Sequence, residues 1–288
     1  MKGFLKNILW PTDFSREAQE ALLYADVFAE TFDARITALH VAPDLSLALY
    51  EDSPAIQQEL IRRRDSSKKS SRAKVQSIGQ KKGISFKKIV VTEGSAAKKI
   101  IETAEKEKAD LIVMGKRGQS VVEKILIGSV ANHVLRHSPV PVLVTKKRKR
   151  KFEVKKILVP TDFTKGEDVE RDFAWKLAKG FDASLTLLYV LELFGHDFRM
   201  AEEMFQTVLE KFKRREKKEG KRVAVSEEVT RAINAAIGVE EYARTHRFDL
   251  IVMATCASRL GRFFLGSTTE KVISSTDLPV FAIPPKFC

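Results

Sequence analysis

Cysteine is scarce in this chain of 288 residues, which contains only Cys256 and Cys288. Two cysteines, one of them at the end of the sequence, cannot provide the disulfide framework of a small secreted domain, so a reducing compartment fits best. No window approaches about 18 uncharged apolar residues, and the first residues lack the apolar core of a signal peptide. From these absences we expect a cytoplasmic protein without a membrane span.

Several enzyme motifs are absent as well. Neither half of the sequence contains the G-x-S-x-G turn of hydrolases or the G-x-x-x-x-G-K-[ST] phosphate loop, and no G-x-G-x-x-G follows the first apolar run. Hydrolase, P-loop and dinucleotide dehydrogenase activities therefore have no support in the sequence. His133 and His137 have the spacing of a metal-binding pair on a helix, but they lack a third ligand, and we predict packing and surface roles for them.

The most informative feature that is present is a glycine loop after the apolar residues 111–114. Gly115, Gly118 and Gly128 have the spacing G-x2-G-x9-G, and Ser129 opens a helical pattern. Glycines leave room for backbone N–H groups to close around an anion, and the helix directs its positive end to the same place. The spacing predicts a phosphate-binding loop, whereas the alternative is a glycine turn before an ordinary capped helix.

The sequence repeats itself at an offset of 149 residues. Residues 156–164 (KILVPTDFT) align with residues 7–15 (NILWPTDFS), and residues 249–253 repeat the DLIVM of residues 110–114. Two copies of a domain of about 150 residues account for the length, so the chain is a tandem duplication and not a solenoid. Within each copy strand patterns alternate with helix patterns, which predicts an α/β fold of two tandem doubly wound domains with parallel sheets.

A run of six basic residues, Lys146–Lys151, separates the two copies. Such a run cannot be buried, so we interpret it as a solvated linker and place the domains at residues 1–146 and 153–288, joined by residues 147–152. The first 150 residues carry a net charge of +11 and the remainder a net charge of +2. Aromatic side chains are not interleaved with these basic residues, so we predict no specific nucleic-acid binding.

With these features the sequence resembles the universal stress protein family. The matching segments run in the family's order through nearly all of the first copy: Pro11-Thr12-Asp13, Leu39-His40-Val41, Gly94, residues 110–115, the glycine loop and the last strand at residues 139–144. The resemblance implies a Rossmann-like, adenine nucleotide alpha hydrolase-like fold with five parallel strands in each domain. Ligands of such sheets bind at the carboxyl ends of the strands, where the strand order reverses.

The resemblance also implies an ATP site in the first copy, because nucleotide-binding members of the family use the residues that match this sequence there. Asp13 would lie near the adenosine, Val41 would line the adenine, and the glycine loop would contact the ribose and the phosphates. The implied site comprises Pro11, Thr12, Asp13, Val41, Met114, Gly115, Gly118, Gly128, Ser129 and Val130. A Mg ion can bridge the phosphates of ATP, although the sequence shows no dedicated set of metal ligands.

The second copy retains Pro160-Thr161-Asp162 but has lost glycines that the first copy keeps. Ala254, Ala257 and Ile233 stand at the positions of three of those glycines, and the loop is one residue shorter. Each Cβ added where the backbone is left-handed or must approach a phosphate closely costs on the order of 1 kcal/mol or more. We therefore predict that the second site is weak or empty.

Two apolar features of the sequence, one group of residues and one single residue, have alternative interpretations. The first follows the second strand of the second copy, and we expect it in the core or at a domain interface, with a lipid pocket as the alternative. Its members are Phe194, Phe198, Met200, Met204, Phe205, Val208, Leu209 and Phe212. The second is Trp10, which replaces a small aliphatic residue typical of the family. We expect its indole in the core, and the alternative is that the indole narrows the ligand crevice at the ends of the strands.

We expect an ATP-binding stress-response or signalling module, and the alternative is an interaction or scaffold protein of the same fold that binds no nucleotide. The intact glycine loop favours the first interpretation. No motif places a general base beside that loop, so at most slow ATP hydrolysis is expected.

The last strands of the copies, residues 140–144 and 280–283, would leave open sheet edges unless they are paired. Because both strands belong to one chain, we predict that they pair with each other about a pseudo-two-fold axis. Further homo-oligomerisation is compatible with the sequence, which identifies no protein partner.

Overall fold

The computed structural model describes residues 3–44, 54–118, 127–146, 152–162, 167–192, 206–207, 209–214, 217, 223–255 and 266–284. These residues form two α/β copies in which strands and helices alternate. No helix among them combines the length and the apolar character needed to cross a membrane.

The first copy contains five strands and four helices. They are β1 (Asn7–Pro11), α1 (Arg16–Phe32), β2 (Arg35–Ala42), α2 (Pro54–Lys82), β3 (Lys88–Glu93), α3 (Ala96–Lys106), β4 (Leu111–Gly115), α4 (Ser129–His137) and β5 (Val142–Thr145). The strands pair in the order β3-β2-β1-β4-β5, and all four pairings are parallel. The doubly wound sheet of five parallel strands that the sequence predicted is confirmed for this copy.

The described part of the second copy repeats this order. It consists of β6 (Lys156–Pro160), α5 (Glu167–Phe181), β7 (Ser184–Glu192), β8 (Val225–Ala232), α6 (Ala235–Thr245), β9 (Leu250–Ala254), α7 (Ser267–Ser275) and β10 (Val280–Ile283). Its strands pair in parallel in the order β10-β9-β6-β7-β8. The duplication seen in the sequence is therefore a duplication of the fold.

One antiparallel pairing joins the two sheets into a single sheet of ten strands. Strand β5 pairs with β10, with Val144 opposite Val280 and Val142 opposite Ala282. The two strands lie at equivalent places in the two copies, so the pairing is a pseudo-two-fold contact inside one chain. The predicted pairing of the terminal strands is confirmed, and neither strand is left with an open edge.

The same acidic residue fixes the strand register in both copies. The side chain of Asp110 accepts hydrogen bonds from the backbone N–H groups of Lys6 and Asn7, at 2.8 and 2.9 Å. Asp249 binds the N–H groups of Lys155 and Lys156 in the same way, at 2.9 and 3.0 Å. Each carboxylate ties the beginning of a copy's fourth strand to the beginning of its first, which explains why the aspartate before LIVM occurs twice.

Trp10 lies in the hydrophobic core and is fully buried. Its ring stacks on Phe86 with 5.6 Å between the ring centroids, and its Nε1 donates a hydrogen bond to the backbone oxygen of Ala18 at 2.7 Å. The core expectation for Trp10 is therefore confirmed, and the indole does not line the site described below.

The apolar residues after the second strand of the second copy are only partly described. Phe212 is buried and stacks on Trp175 at 5.3 Å, as expected for a core residue. Residues 194, 198, 200, 204, 205 and 208 lie outside the described part of the chain, so the prediction for them stays a prediction.

Candidate functional site

A cleft opens at the carboxyl ends of β1, β2 and β4 in the first copy. The chain first builds the sheet outward from β1 through β2 to β3, and then places β4 on the other side of β1. This reversal of direction between β1 and β4 is the place where open α/β sheets bind ligands.

The structure brings all ten residues predicted from the sequence to this one cleft. The lining includes Pro11, Thr12, Asp13, Val41, Met114, Gly115, Gly118, Gly128, Ser129 and Val130. Seven further residues line it that sequence reasoning did not single out: Ala18, Leu39, Ala96, Ile100, Lys116, Arg117 and Ala131. Two of the seven could have been found from the sequence, because Lys116 and Arg117 are adjacent cations between Gly115 and Gly118 of the predicted phosphate loop.

The turn after β1 holds Asp13 in a fixed orientation. The Thr12 N–H donates to the backbone oxygen of Leu39 at 2.8 Å, which anchors the turn to the neighbouring strand. The Asp13 carboxylate accepts a hydrogen bond from the N–H of Ser15 at 2.9 Å. Phe14, between them, has a left-handed φ of 68° and its ring lies 4.3 Å from that of His40. The carboxylate is thus oriented by the backbone and does not swing freely.

Gly118 is required by the close approach of this carboxylate. A Cβ at residue 118 would lie 2.6 Å from Oδ2 of Asp13, which is shorter than a van der Waals contact allows. Gly115 is also crowded, because a Cβ there would lie 3.0 Å from the backbone carbon and from the Cβ of Glu17. Neither glycine has a left-handed φ. The close approach that the structure shows at these glycines is to Asp13 and Glu17, and close approach to a phosphate stays a prediction.

Arg117 presents a guanidinium group to the cleft. Its backbone N–H donates to the Glu17 carboxylate at 2.8 Å, which fixes the loop to α1. Its Nε is buried and has no hydrogen-bond partner among the described residues. A buried cationic donor without an acceptor carries a substantial free-energy cost. Because Arg117 lines the cleft, its positive charge favours an anion there.

Lys116 points away from the cleft and is almost completely buried, with 2 % of its surface exposed. Its Nζ donates a hydrogen bond to the backbone oxygen of Ser274 in the second copy. The pKa of Lys116 is lowered to about 8, mainly by burial and then by the nearby charges of Lys146 and Arg117, against the opposing effects of Asp277 and Glu17.

Two helices begin at the cleft without a side-chain cap. Helix α4 begins at Ser129, and its N-cap residue Gly128 makes no side-chain hydrogen bond. The N-cap of α3, Ser95, also makes none, and Ala96 in the first turn of α3 lines the cleft. Free N–H groups at helix N-termini favour negative charge. Together with Arg117 they give this end of the cleft the electrostatics of an anion site.

The second copy fills the equivalent places with its own side chains. The carboxylate of Glu192 accepts a hydrogen bond from the N–H of Ala235 at the beginning of α6, at 2.8 Å, and Asn234 caps the same helix. Gly238 lets α6 approach Val190, the counterpart of Val41, so closely that a Cβ there would lie 2.6 Å from its Cγ1.

The loop of the second copy has also lost both cations. Thr255 stands at the position of Lys116, and the next residue is a cysteine in place of Arg117. The exposed Ile233, at the position of Gly94, does not have the left-handed φ of 117° that Gly94 adopts. Ala257, at the position of Gly118, lies outside the described residues.

The histidine pair on α4 is not arranged to chelate a metal. The rings of His133 and His137 stack on each other, with 4.3 Å between their centroids, and Nδ1 of His137 lies 2.9 Å from the backbone oxygen of His133. Within the described part of the chain no group of three His, Cys, Asp or Glu side chains is placed to hold a metal ion.

The topology and the cleft at the switch point define a doubly wound α/β protein with a candidate ligand site at the carboxyl ends of its strands. The model of the universal stress protein family matches residues 5–146 and matches again at residues 153–284. The chain therefore belongs to the universal stress protein family and contains two copies of its domain.

The chain is similar in sequence to known universal stress proteins and similar in fold to a solved structure. A universal stress protein of Methanocaldococcus jannaschii is 38% identical over 152 residues, which is 52% of this chain and 86% of the relative. One of Thermus aquaticus is 32% identical over 144 residues, 49% of this chain and 98% of the relative. The crystal structure of a universal stress protein from Archaeoglobus fulgidus is similar over 98% of this chain and 97% of its own, with a TM-score of 0.68 and 24% identity. The last likeness covers both copies and concerns the fold.

Proposed function

We propose that this protein is an ATP-binding universal stress protein, acting in a stress response or in signalling, that holds one nucleotide in its first domain. The proposed domains are residues 1–146 and 153–288, with residues 147–152 as the linker. The observation that carries the proposal is the convergence of all ten sequence-predicted residues on one cleft that is also lined by the cationic residue Arg117.

The chemistry of the cleft fits a nucleotide with an apolar base and an anionic tail. Val41, Leu39 and Ile100 contribute apolar side chains to the lining of the cleft, suited to the faces of an adenine ring. The oriented carboxylate of Asp13 is an acceptor suited to sugar hydroxyl groups. Arg117 and the beginning of α4 suit phosphates. Mg would be held mainly by the phosphates, since no group of protein carboxylates is assembled for it among the described residues.

The second domain is the weaker site in this proposal. Its loop has Ala254 and Ala257 in place of two glycines of the first, and it lacks counterparts of Lys116 and Arg117. The N-terminus of α6 already has an acidic partner in Glu192. An incoming phosphate would have to compete with that carboxylate. The expected stoichiometry is one ATP per chain, with turnover that is slow at most, because no sequence motif places a general base beside the glycine loop.

Calorimetric titration of the full chain with ATP tests the proposal, and the duplication supplies a matched pair of variants. Asp13→Ala should abolish measurable binding, whereas Asp162→Ala, the same change at the equivalent position of the second copy, should leave it intact. Wild-type protein should bind one equivalent. Two equal sites, or loss of binding in Asp162→Ala only, would overturn the assignment. No binding of ATP by the wild type would favour the interaction-protein alternative.

A further inference from the structure

Lys116 is built into the backbone framework of the cleft. Its N–H donates to the backbone oxygen of Thr145 on β5 at 2.9 Å, and its own backbone oxygen accepts the N–H of Gly128 at 3.0 Å. The residue thereby joins the first part of the glycine loop to the beginning of α4 and to the strand at the junction between the copies. Any displacement of Lys116 must move both sides of the cradle.

The side chain of Lys116 connects this framework to the second copy. Its Nζ donates to the backbone oxygen of Ser274, in the last turn of α7. The last carbonyl groups of a helix have no partner within the helix, and the negative end of the helix dipole favours a cation. The contact is therefore chemically specific although it involves no side chain of the second copy.

Other polar contacts hold α7 against the first copy around this bond. Glu270 accepts hydrogen bonds from Asn132 at 3.2 Å and from Arg136 at 3.3 Å, both on α4. Lys146 forms an ion pair with Asp277 just beyond the end of α7. Helix α4, whose first turn lines the cleft, is thus bound to Glu270 of α7 through two of its side chains.

The equivalent residue of the second copy does not make the reciprocal contact. Thr255 is fully buried, and its hydroxyl donates to the backbone oxygen of Ile283 within its own copy, at 3.0 Å. The backbone bonds are otherwise alike, because the N–H of Thr255 binds Ile283 and its oxygen accepts the N–H of Gly266. Lys116 and Thr255 occupy equivalent positions, but of these two side chains only that of Lys116 binds the other copy.

We propose that Lys116 is a positioning residue that couples nucleotide binding in the first domain to the packing of α7 in the second. The inference rests on the proposed nucleotide site. The second domain, which has lost its own cradle, supports the cradle of the first through Ser274. Binding of ATP should tighten the packing of α7, and loosening of α7 should weaken the binding of ATP by the same factor.

Hydrogen exchange of the full chain, measured with and without ATP, tests the coupling. Lys116→Met removes the bond to Ser274. Lys146→Met is the matched control, because it removes another lysine contact between the copies from outside the cleft. ATP should slow exchange at residues 267–275 of the wild type and of Lys146→Met but not of Lys116→Met. The affinity for ATP should fall about tenfold or more in Lys116→Met, as expected for the loss of a charged hydrogen-bond donor, and should change little in the control.

The ligand-free proteins separate this inference from the proposed function. Without ATP, Lys116→Met should accelerate exchange both at residues 115–118 and at residues 267–275, whereas Lys146→Met should affect only the latter. Wild-type protein that binds ATP without any change at α7 would overturn the coupling and leave the ATP site standing. If the protein bound no ATP, the proposed function would fail, and faster exchange at both residues 115–118 and 267–275 in Lys116→Met would show only a structural link between the loop and α7. Lys116→Thr, which copies the residue that the second copy already accommodates, provides a second variant should Lys116→Met fold poorly.

Discussion

Leu143 lies directly opposite Phe281 where β5 pairs with β10, and the two residues are each other's counterparts in the duplicated sequence. The neighbouring pairs are reciprocal, with Val144 opposite Val280 and Val142 opposite Ala282. A local two-fold axis therefore passes between Leu143 and Phe281. Because a linker joins the copies, this pairing occurs at a high effective concentration and needs no second chain.

The aromatic packing around Phe281 should make it a main contributor to the stability of this junction. The side chain is fully buried, and its ring lies 5.9 Å from that of Phe173 and 6.4 Å from that of Phe28 in the other copy. Phe281→Ala should lower the free energy of unfolding by about 3–5 kcal/mol. Urea titration measures this, with Leu23→Ala, a truncation on the partly exposed side of α1, as the control. Equal small effects of the two changes would contradict the assigned role.

The contact between Gly118 and Asp13 predicts a loss of affinity without a comparable loss of stability. In Gly118→Ala, a Cβ placed 2.6 Å from Oδ2 of Asp13 must displace the carboxylate or the loop. If the exposed loop yields, the overpacking is relieved at little cost in stability, but the Asp13 carboxylate loses the position proposed for its contact with the adenosine. A lost hydrogen bond to a charged group costs about 1.5–3 kcal/mol, so the affinity for ATP should fall about tenfold or more. Calorimetry and thermal unfolding of the same samples separate the two effects.

Gly180→Ala is the matched control for that change. Here the added Cβ would lie 2.2 Å from Cε1 of Phe32, in the core between α5 and α1 and away from the cleft. The opposite pattern is expected, with a lower melting temperature and an unchanged affinity for ATP in the folded protein. If both glycine variants changed the affinity equally, the effect at Gly118 would be a general loss of packing.

Arg117 lines the cleft, and its Nε has no hydrogen-bond partner among the residues that the structure describes, which predicts a selective effect on phosphate recognition. Arg117→Gln removes the charge, so the affinity for ATP should fall roughly tenfold to a hundredfold while the weaker affinity for adenosine stays unchanged. Competition binding with both ligands measures the selectivity. Arg35→Gln makes the same charge change at an exposed position at the other end of the sheet and should affect neither ligand. A parallel loss of both affinities in Arg117→Gln would argue against a phosphate contact.

Much of the fold follows from local patterns that the duplication repeats. Strand patterns that end at Pro11 and Pro160, and glycine spacings that follow β4, carry their structural meaning within a few residues of sequence. The same holds for the cleft, because the carboxyl ends of neighbouring parallel strands must converge. This is why all ten predicted site residues line one cleft even though they come from separate segments of the chain.

Individual side-chain contacts between residues far apart in the sequence could not be predicted from local patterns. Lys116 binds a backbone oxygen 158 positions away, and a backbone acceptor leaves no mark in the sequence. Gly238 is similar, since a single glycine in a helix pattern does not identify Val190 as the side chain that it accommodates. Such contacts depend on how complete elements pack, and periodicity describes each element by itself.

The buried ammonium group of Lys116 predicts a distinctive dependence of stability on pH. Its pKa is lowered from 10.5 to about 8 in the folded protein, first by burial and then by Lys146 and Arg117. Between these two pH values the unfolded chain binds more protons at this residue than the folded chain does. The free energy of unfolding therefore gains a contribution that rises as the pH increases from 8 towards 10.5.

Urea titrations of wild type and Lys116→Met at a series of pH values measure this contribution, since the difference between the two proteins cancels groups that titrate elsewhere. Asp277 and Glu17 also face Lys116 and partly offset the lowering of its pKa. The wild type should gain stability relative to Lys116→Met above pH 8. A difference that stays constant, or that falls as the pH rises, would mean that Lys116 is more hydrated than its position between the loop and α7 implies.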